Sequence, residues 1–434
     1  RQRRRPMVVV AAALSRDRRH GDGLAWTAGN VLDQRVRPGG SHHQKFVVLR
    51  HPARPHLDVA FVGGIDLCHS RRDDSTHAGD RQRQPMADVY GERPPWHDIQ
   101  LAIRGPAIGD VETVFRERWE DPAPLSRNPL NRLSMLVRHD PRTPAALPAQ
   151  LPDPAPAGTA HVQLLRTYPN RHPGYPFAPM GERSVARGYD QVIRRAQSLI
   201  YLEDQYLWSG EIVHAFADVL RERKDLRLIA VIPMHPDQDG KLSLPPNLVG
   251  RQHALDELNA AAPDRIAVYG IENHGGTPVY VHAKVCVVDD VWASVGSDNI
   301  NRRSWTHDSE LACAVLDDTR DDRAPAVIDG FGHGARRFAR ELRLQLAREH
   351  LDRELGDDAA LLDPVAVFDT FAASAARLQT WHDNNRAGPR PPGRLRPYPA
   401  LRLSRKTLAW ATPLYRIVYD PDGRPLRMRR AGRY

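Results

Sequence analysis

The chain has 434 residues, of which 41% are hydrophobic and 26% charged, and its formal net charge is +9. No apolar run approaches the roughly 20 residues of a membrane-spanning helix, and three cysteines are too few for a disulfide scaffold. This composition is typical of a soluble protein with two or more domains. The positive charge is compatible with nucleic acid or with anionic lipid head groups and does not choose between them.

The first polar motif lies near the start of the chain. His43 and Lys45 open the apolar run 46–49, and a second apolar run, 59–62, leads into Gly63-Gly64-Ile65-Asp66. Side chains alternate faces along a β-strand, so this imidazole and this ammonium are expected on the same side. An imidazole beside a fixed cation is typical of a site that holds and attacks an anion.

A stretch rich in proline and alanine, residues 144–156, divides the chain into two halves. The second half alternates apolar residues at helical spacing with short apolar runs. The predicted elements are a helix over 185–196, a strand at 199–202, a helix over 212–220, a strand at 226–232, a helix over 255–262 and a strand at 266–269. This β-α-β order predicts a sheet flanked by helices, with functional groups at the strand ends.

The second half then repeats the polar motif. His282 and Lys284 lie on the apolar stretch 281–288, and Gly296-Ser297-Asp298-Asn299 closes the return strand. Two such pairs facing each other would surround a phosphate. The chain has only five lysines, and two of them occupy matched positions, where an arginine would have served if only a solvated cation were needed.

The repeat ends after about residue 325. Helical spacing predicts helices over 335–351 and 365–381. The final segment, 401–434, alternates apolar and basic residues. Two interpretations of this segment stay open, packing onto the core and docking onto a lipid surface.

These residues resemble a known family, the phospholipase D superfamily. The second motif carries its whole signature, in His282, Lys284, Asp289, Gly296, Ser297 and Asn299. The first motif is similar to the true phospholipase D branch and looks like that of a bacterial phospholipase D-like enzyme, with its Gly-Gly-x-Asp turn at 63–66. The resemblance covers roughly residues 25 to 320. One position departs from it, because Arg50 stands where the family has an aspartate, and Asp58 lies beyond an insertion.

The resemblance implies an α/β fold with two similar lobes, each a mixed β-sheet flanked by helices, and one active site between them. We expect a first lobe at residues 1–143, a linker at 144–160, a second lobe at 161–325, and a helical and basic extension at 326–434. The first lobe is expected to be truncated, because at least one β-α unit is missing before His43 and the chain does not begin with Met.

The family's chemistry assigns roles to the paired motifs. His43 would attack phosphorus to form a phosphohistidine, and His282 would protonate the leaving oxygen, with the reverse assignment left open. Lys45 and Lys284 would neutralise the developing charge. These groups would replace a metal, so neither a metal nor another cofactor is expected.

Each imidazole also needs an acceptor on its other nitrogen to fix its tautomer. Glu310 is the expected partner of His282. Asp98 is the expected partner of His43, because Gln100 stands at the position that matches Glu310 in the first lobe. The second choices, in the same order, are Asp308 and Asp73.

The remaining candidates surround the substrate. Ser297 and Asn299 are expected to donate hydrogen bonds, and Asp289 completes the catalytic motif. The residues expected to line the substrate site are Gly64, Asp66, Gly296 and Gln205.

Together these features predict a phospholipase D-like phosphodiesterase that hydrolyses glycerophospholipids or transfers their phosphatidyl group. Its partners would be a phospholipid at a membrane surface and an acceptor, either water or an alcohol, and nucleic acid is not expected. The expected location is the cytoplasm or a membrane periphery rather than outside the cell. The alternatives are a cardiolipin or phosphatidylserine synthase, a nuclease of the same superfamily, and an inactive lipid- or nucleic-acid-binding module.

Overall fold

The computed structural model describes residues 31, 33–67, 71–81, 86–126, 128–137, 143–240, 242–325, 334–400 and 402–434. Residues 1–30, on which the expectation of a truncated first lobe bears, lie outside these ranges. In the described part of the chain, no helix combines the length and the apolar character that crossing a bilayer would require.

The first lobe is built on a small sheet of three strands. The strands of the lobe are β1 (Phe46–Leu49), β2 (Val59–Gly63), β3 (Trp96–His97) and β4 (Gln100–Ile103), and the helices of the lobe are α1 (Ala107–Trp119) and α2 (Pro129–Val137). The order β1-β2-β4 is antiparallel throughout, while β3 stands apart. The strand residues Ala60 and Val62 pack against Ile108 and Val111 of α1, which closes a small core.

A mixed sheet of nine strands forms the second lobe of the described chain. The strands are β5 (Ala160–Tyr168), β6 (Glu182–Arg183), β7 (Leu199–Asp204), β8 (Arg227–Val231), β9 (Ile266–Ile271), β11 (Lys284–Val288), β12 (Trp292–Gly296), β13 (Glu310–Asp317) and β14 (Leu395–Pro397), in the order β14-β9-β8-β7-β11-β12-β13-β5-β6. β7, β8 and β9 are parallel to one another, and the other neighbours are antiparallel. The short strand β10 (Tyr280–Val281) pairs with β3 of the first lobe.

Helices cover both faces of this large sheet. They are α3 (Ser184–Ile193), α4 (Gly210–Glu222), α5 (Leu244–Ala261), α6 (Arg302–Thr306), α7 (Arg337–Leu351), α8 (Ala359–Leu362), α9 (Pro364–Asp383), α10 (Arg405–Leu414) and α11 (Leu426–Arg430). Because side chains alternate along a strand, Cys286 and Val288 of β11 join the core under α3, α4 and α5, and Val285 and Val287 join the core under α7 and α9. The buried strand β11 therefore reads as a continuous apolar run.

The large mixed sheet flanked by helices confirms the expected α/β fold. The first lobe differs from the expectation, because its described sheet is antiparallel and has no counterpart of the parallel strands β7 to β9. The predicted C-terminal extension is integrated into the second lobe, since β14 pairs with β9 at the sheet edge and α7 and α9 pack on the sheet.

Candidate active site

The two His-x-Lys motifs meet between the lobes, each where a strand begins. In each motif the lysine turns back onto its own histidine: Lys45 Nζ donates to the carbonyl oxygen of His43 at 2.7 Å, and Lys284 Nζ donates to that of His282. The four side chains interact electrostatically across the lobe boundary. The repeat in the sequence thus becomes a repeat of contacts around one site.

The imidazole of His43 is held by the second lobe. Its Nδ1 lies 3.0 Å from Glu310 Oε2 and 3.0 Å from the carbonyl oxygen of Ser297. Ser297 Oγ in turn donates to Glu310 Oε2 at 2.5 Å. With both acceptors on Nδ1, the Nε2 atom of His43 is left for chemistry.

The imidazole of His282 is held by the first lobe. Its Nδ1 lies 2.7 Å from Asp98 Oδ2, and both side chains are buried. Burial and the nearby charge of Lys284 lower the pKa of His282 well below 6.5. The two pairings are therefore crossed between lobes, and the expected partners were wrong: Glu310 faces His43 rather than His282, and Asp98 faces His282 rather than His43.

The error has a geometric origin, a shift of two residues in the alignment of the lobes. Gly63 of β2 pairs with Gln100 of β4, whereas Gly296 of β12 pairs with Ala312 of β13. Gln100 therefore matches Ala312, and the first-lobe counterpart of Glu310 is Asp98. The backbone bonds agree, because His282 N donates to His97 O at 2.7 Å, just before Asp98, and His43 N donates to Ser309 O at 2.9 Å, just before Glu310.

The two second-choice acids lie elsewhere. Asp73 accepts a bond from the backbone N–H of Trp96 at 2.6 Å. Asp308 accepts one from the N–H of Ser41 at 2.9 Å and pairs with Arg303. Both carboxylates fix the backbone next to the site and bind neither motif histidine directly.

Lys284 is enclosed by the second lobe. Its Nζ donates to Gln205 Oε1 at 3.0 Å, and Gln205 Nε2 donates to the hydroxyl of Tyr280 at 2.7 Å. Burial lowers the pKa of Lys284 to about 8, against the opposing effect of Asp98. Gln205, expected to line the substrate site, therefore positions the lysine.

Asp66 lies among the positive groups of the site. Its carboxylate is 3.5 Å from Lys45 Nζ and 3.8 Å from Arg71 Nε. Burial would raise the pKa of Asp66, but Lys45, both motif histidines and Arg71 together lower it to about 2. The Asp66 carboxylate therefore lies among cations that favour its ionised form.

The glycines of the motifs allow close approach of neighbouring groups. A Cβ on Gly64 would stand 2.1 Å from Asp98 Oδ1, and a Cβ on Gly296 would stand 2.4 Å from Ala312 Cβ. Gly64 therefore makes room for the acid that holds His282, and Gly296 makes room for β13. Asn299 is buried near the site, and its Oδ1 has no hydrogen-bond partner among the described residues.

Asp289, expected to be catalytic, lies at the opposite end of β11 from Lys284. Its carboxylate accepts bonds of 2.8–2.9 Å from the N–H groups of Gln197, Ser198 and Leu199, so it holds the start of β7. In the first lobe, Arg50 occupies the matching place after β1. There it pairs with Asp58 at 2.9 Å and with Glu112 of α1.

Two site residues were missed. The ring of Trp96 lies 4.9 Å from that of His282, and the guanidinium of Arg71 lies 4.0 Å above the Trp96 ring. Arg71 therefore joins the indole and Asp66 at the site. The Trp-His-Asp run at 96–98 could have identified Trp96 as a site residue from the sequence. A lone arginine in a loop, such as Arg71, carries no comparable pattern.

A buried network next to Asp98 could hold a metal in principle. Its donor atoms come from two groups that share His97, one completed by His77 and Glu349 and the other by Glu203 and His350. Both nitrogens of His97 already face carboxylates, Glu203 at 2.6 Å and Glu349 at 3.0 Å. Burial alone would lower the pKa of His97, but these carboxylates raise it well above 6.5. The network thus ties β3 to β7 and α7, and we call it the ion-pair clamp on β3.

Asp298, inside the second motif, is a buried acid without a hydrogen-bond partner in another described residue. Burial, with Glu310 close by, raises the pKa of Asp298 well above 3.8. The side chain therefore retains a proton over a wider pH range than an exposed aspartate.

Two family models match the chain, "Phospholipase D" over residues 27–241 and "Cardiolipin synthase, PLD-like domain" over residues 189–325. Among curated proteins, human phospholipase D1 is 29% identical, and the alignment covers 76% of this chain and 34% of that protein. Phospholipase D1 of Schizosaccharomyces pombe is 27% identical, with 72% and 27% covered. The chain thus spans about a third or less of these two relatives.

Among solved structures, phosphatidylserine synthase from Haemophilus influenzae shares 15% identity, with a TM-score of 0.41 over 65% of this chain and 59% of that one. The phospholipase D family member from Salmonella typhimurium shares 17%, with a TM-score of 0.25 over 36% and 84%. The two family models and the curated relatives, together with the doubled motif, show that the chain belongs to the phospholipase D superfamily.

Proposed function

We propose that the chain is a phospholipase D-type phosphodiesterase that hydrolyses or transphosphatidylates glycerophospholipids through a phosphohistidine intermediate. The observation that carries the proposal is the crossed pairing, in which each motif histidine is bound through Nδ1 by a carboxylate of the other lobe. Such pairing leaves both Nε2 atoms for two complementary jobs, attack and proton donation. The names of the curated relatives support the phospholipid substrate.

In the proposed first step, His43 Nε2 attacks phosphorus and the bond from phosphorus to the head-group oxygen breaks. His282 Nε2 gives its proton to that oxygen, so the head group leaves as an alcohol. In the second step, His282 takes a proton from water or an alcohol, whose oxygen attacks phosphorus and releases His43. Lys45 and Lys284 stabilise the charge on the phosphoryl oxygens in both steps.

The role of His282 as general acid requires that its imidazole be protonated. Burial and Lys284, however, lower the pKa of His282 in the free protein. An anionic phosphodiester near the ring favours the protonated form and opposes this effect. His43 is the better nucleophile on geometry, because its side chain is 27% exposed, against 7% for His282.

The test is turnover and trapping with purified protein. Phosphatidylcholine should release choline in the presence of EDTA, and acid quenching should trap phosphate on His43. With a diester whose leaving group needs no protonation, His282→Ala should still label, whereas His43→Ala should not. Label on His282 would reverse the two roles, and turnover without label on either histidine would overturn the two-step mechanism.

A synthase is the second candidate, because the model that matches residues 189–325 describes a cardiolipin synthase domain. Formation of cardiolipin from phosphatidylglycerol, with release of glycerol, would favour it. Cleavage of DNA without turnover of any phospholipid would indicate a nuclease. Binding of either substrate without turnover would indicate an inactive module.

A further inference from the structure

The segment from residue 402 to residue 434 packs against the second lobe by one side only. Leu408, Ala411 and Tyr415 recur at helical spacing along α10 and into the following π-helical turn (Tyr415–Tyr419), and they contact Trp208 and Val249. This side explains why the segment is ordered against the core. It leaves the opposite side without a partner in the described chain.

The opposite side carries large apolar side chains. Trp410, in α10, is 43% exposed, and Ile417, in the π-helical turn that follows, is 73% exposed. Val418 and Leu426 of the same segment are also exposed. A single exposed leucine needs no explanation, but several large exposed apolar side chains within one short segment do.

Within the segment itself, the exposed charges all have the same sign, while Asp256 and Glu211 of the second lobe pair with its Arg402 and Arg424. Of its nine basic residues, eight are exposed: Arg402, Arg405, Lys406, Arg416, Arg427, Arg429, Arg430 and Arg433. The ninth, Arg424, is buried against Asp422 and Glu211. The two acidic residues of the segment, Asp420 and Asp422, are not exposed. The segment therefore presents cations and hydrocarbon together.

This surface is tied to the active site by a short chain of hydrogen bonds. Arg303 donates to the carbonyl oxygens of Val418 at 3.3 Å and Tyr419 at 3.1 Å. The same guanidinium pairs with Asp308 at 2.7 Å, and Asp308 accepts from Ser41 N at 2.9 Å. Ser41 is two residues before His43, so the backbone of 418–419 is connected through Arg303 and Asp308 to the segment that carries the reactive imidazole.

We propose that residues 402–433 form a docking face for the surface of an anionic phospholipid bilayer, beside the active site. The proposal rests on the proposed function and names the surface from which the substrate is drawn. Cations attract anionic head groups, and side chains such as Trp410 and Ile417 insert at the boundary of the acyl chains. A nucleic acid would use the cations but gives exposed aliphatic side chains no comparable contact, so a bilayer fits the face better.

The test measures binding of the full chain to vesicles by sedimentation, in a His43→Ala background so that no lipid is consumed. Vesicles of phosphatidylcholine mixed with phosphatidylserine should bind the protein, and added salt should weaken binding. The variant Arg427→Gln/Arg429→Gln/Arg430→Gln should bind on the order of 100-fold more weakly, since each cation contributes about five-fold. The variant Trp410→Ser/Ile417→Ser should weaken binding by roughly 10-fold.

The matched control for charge is Arg194→Gln/Arg195→Gln, since both residues are exposed and lie just before β7 begins, at the opposite end of that strand from the site. The control for apolar surface is Leu130→Ser/Leu133→Ser on α2, where both leucines are exposed. Both controls should bind like the parent. Loss of binding with the α2 variant, or no loss with the variants of 402–433, would overturn the proposal.

Two further arms separate the possible outcomes. If the arginine variant loses binding to a DNA duplex but keeps its binding to vesicles, the face binds nucleic acid and the proposal fails. With active protein, the variants should turn over a monomeric short-chain phosphatidylcholine at the parental rate and lose activity only on vesicles. If the parent turns over neither substrate, the proposed function fails, while sedimentation still decides the docking face.

Discussion

At the scale of single residues, Glu310 and Asp98 should separate the two chemical steps, because each holds a different histidine. Glu310→Gln should slow turnover of every diester by about 10²- to 10⁴-fold, since the nucleophile loses its charged partner. Asp98→Asn should be comparably harmful with phosphatidylcholine but should leave the burst of p-nitrophenol from a p-nitrophenyl diester nearly unchanged, because that leaving group needs no acid in the first step. Choline release and the rate of the p-nitrophenol burst measure this, with Gln100→Ala as the mild control. The opposite pattern would mean that His282 is the nucleophile.

The charge of His282 gives a pH prediction. Burial and Lys284 lower the pKa of His282 in the free protein, and the proposed general acid works only when protonated. The alkaline fall of kcat/KM should therefore report loss of the His282 proton, and it should occur at lower pH than the alkaline fall of kcat because bound phosphate favours the proton. An alkaline fall of kcat/KM at the same pH as that of kcat, or above it, would contradict this role of His282.

Asp298 predicts a gain in stability on substitution. Its pKa is raised in the folded protein, so the folded state binds the proton more tightly than the unfolded state, and stability is lost as pH rises through the folded pKa. Asp298→Ala should therefore add about 1–3 kcal/mol at neutral pH and little near pH 4, about the pKa of a free aspartate. Thermal unfolding across this range measures the effect, with the exposed Asp318→Ala as control. An equal gain at every pH would exclude the titration as its cause.

At the scale of strands and helices, the local pattern was enough to place the motifs but not their partners. The period of two along a strand predicted that His43 lies with Lys45 and His282 with Lys284, and in the structure each lysine Nζ donates to the carbonyl oxygen of its own histidine, just before or at the start of β1 and β11. The acids came from a comparison of lobes that was shifted by two residues. Register between distant segments depends on which strands meet in space, and neither the position of Asp98 between β3 and β4 nor that of Glu310 at the start of β13 carries this information.

The ion-pair clamp on β3 gives a prediction for α7. The Glu349 carboxylate pairs with His77 and His97. Burial would raise the pKa of Glu349, but the two histidines hold it below its ordinary value. Glu349→Gln should lower stability by up to about 3 kcal/mol above pH 5, with less loss as pH falls through the wild-type pKa. It should also lower kcat more than it changes KM, because β3 carries the neighbour of Asp98.

Thermal unfolding and steady-state kinetics measure both effects of Glu349→Gln. Glu341→Gln on the same helix is the control, because Glu341 pairs with Arg323 and is absent from the clamp. Equal behaviour of the two variants would show that the clamp does not position the site.

At the scale of the whole molecule, the sequence predicted a mixed sheet flanked by helices because β-α-β periodicity extends over many residues. It did not predict that β14 completes this sheet, since a strand of three residues, Leu395–Pro397, has no measurable period. The antiparallel sheet of the first lobe was also missed, because the mixed sheet that the resemblance implied was assigned to both lobes, although at least one β-α unit was expected to be missing before His43. Repetition of a hairpin does not require repetition of everything around it.

The crossed pairing predicts that the two lobes work only together. Residues 155–158 are exposed just before β5, so a protease site inserted there should be cut without loss of activity while the halves stay associated. Each half on its own should be inactive, since neither contains a histidine together with its acid. Gel filtration and turnover before and after cutting, and after separating the halves, measure this. Turnover by an isolated half would contradict it.

The crossed acids also limit how the two halves can be recombined. Each half supplies the carboxylate for the other half's imidazole, with the longer Glu310 on one side and the shorter Asp98 on the other. In a chimera that takes one half from a relative, the exchanged half brings a new carboxylate to the histidine of the half that was kept. The exchange therefore changes the pKa and the orientation of a histidine that was not itself replaced. Any redesign of one catalytic step in this protein has to begin with the half of the chain that does not carry that step's histidine.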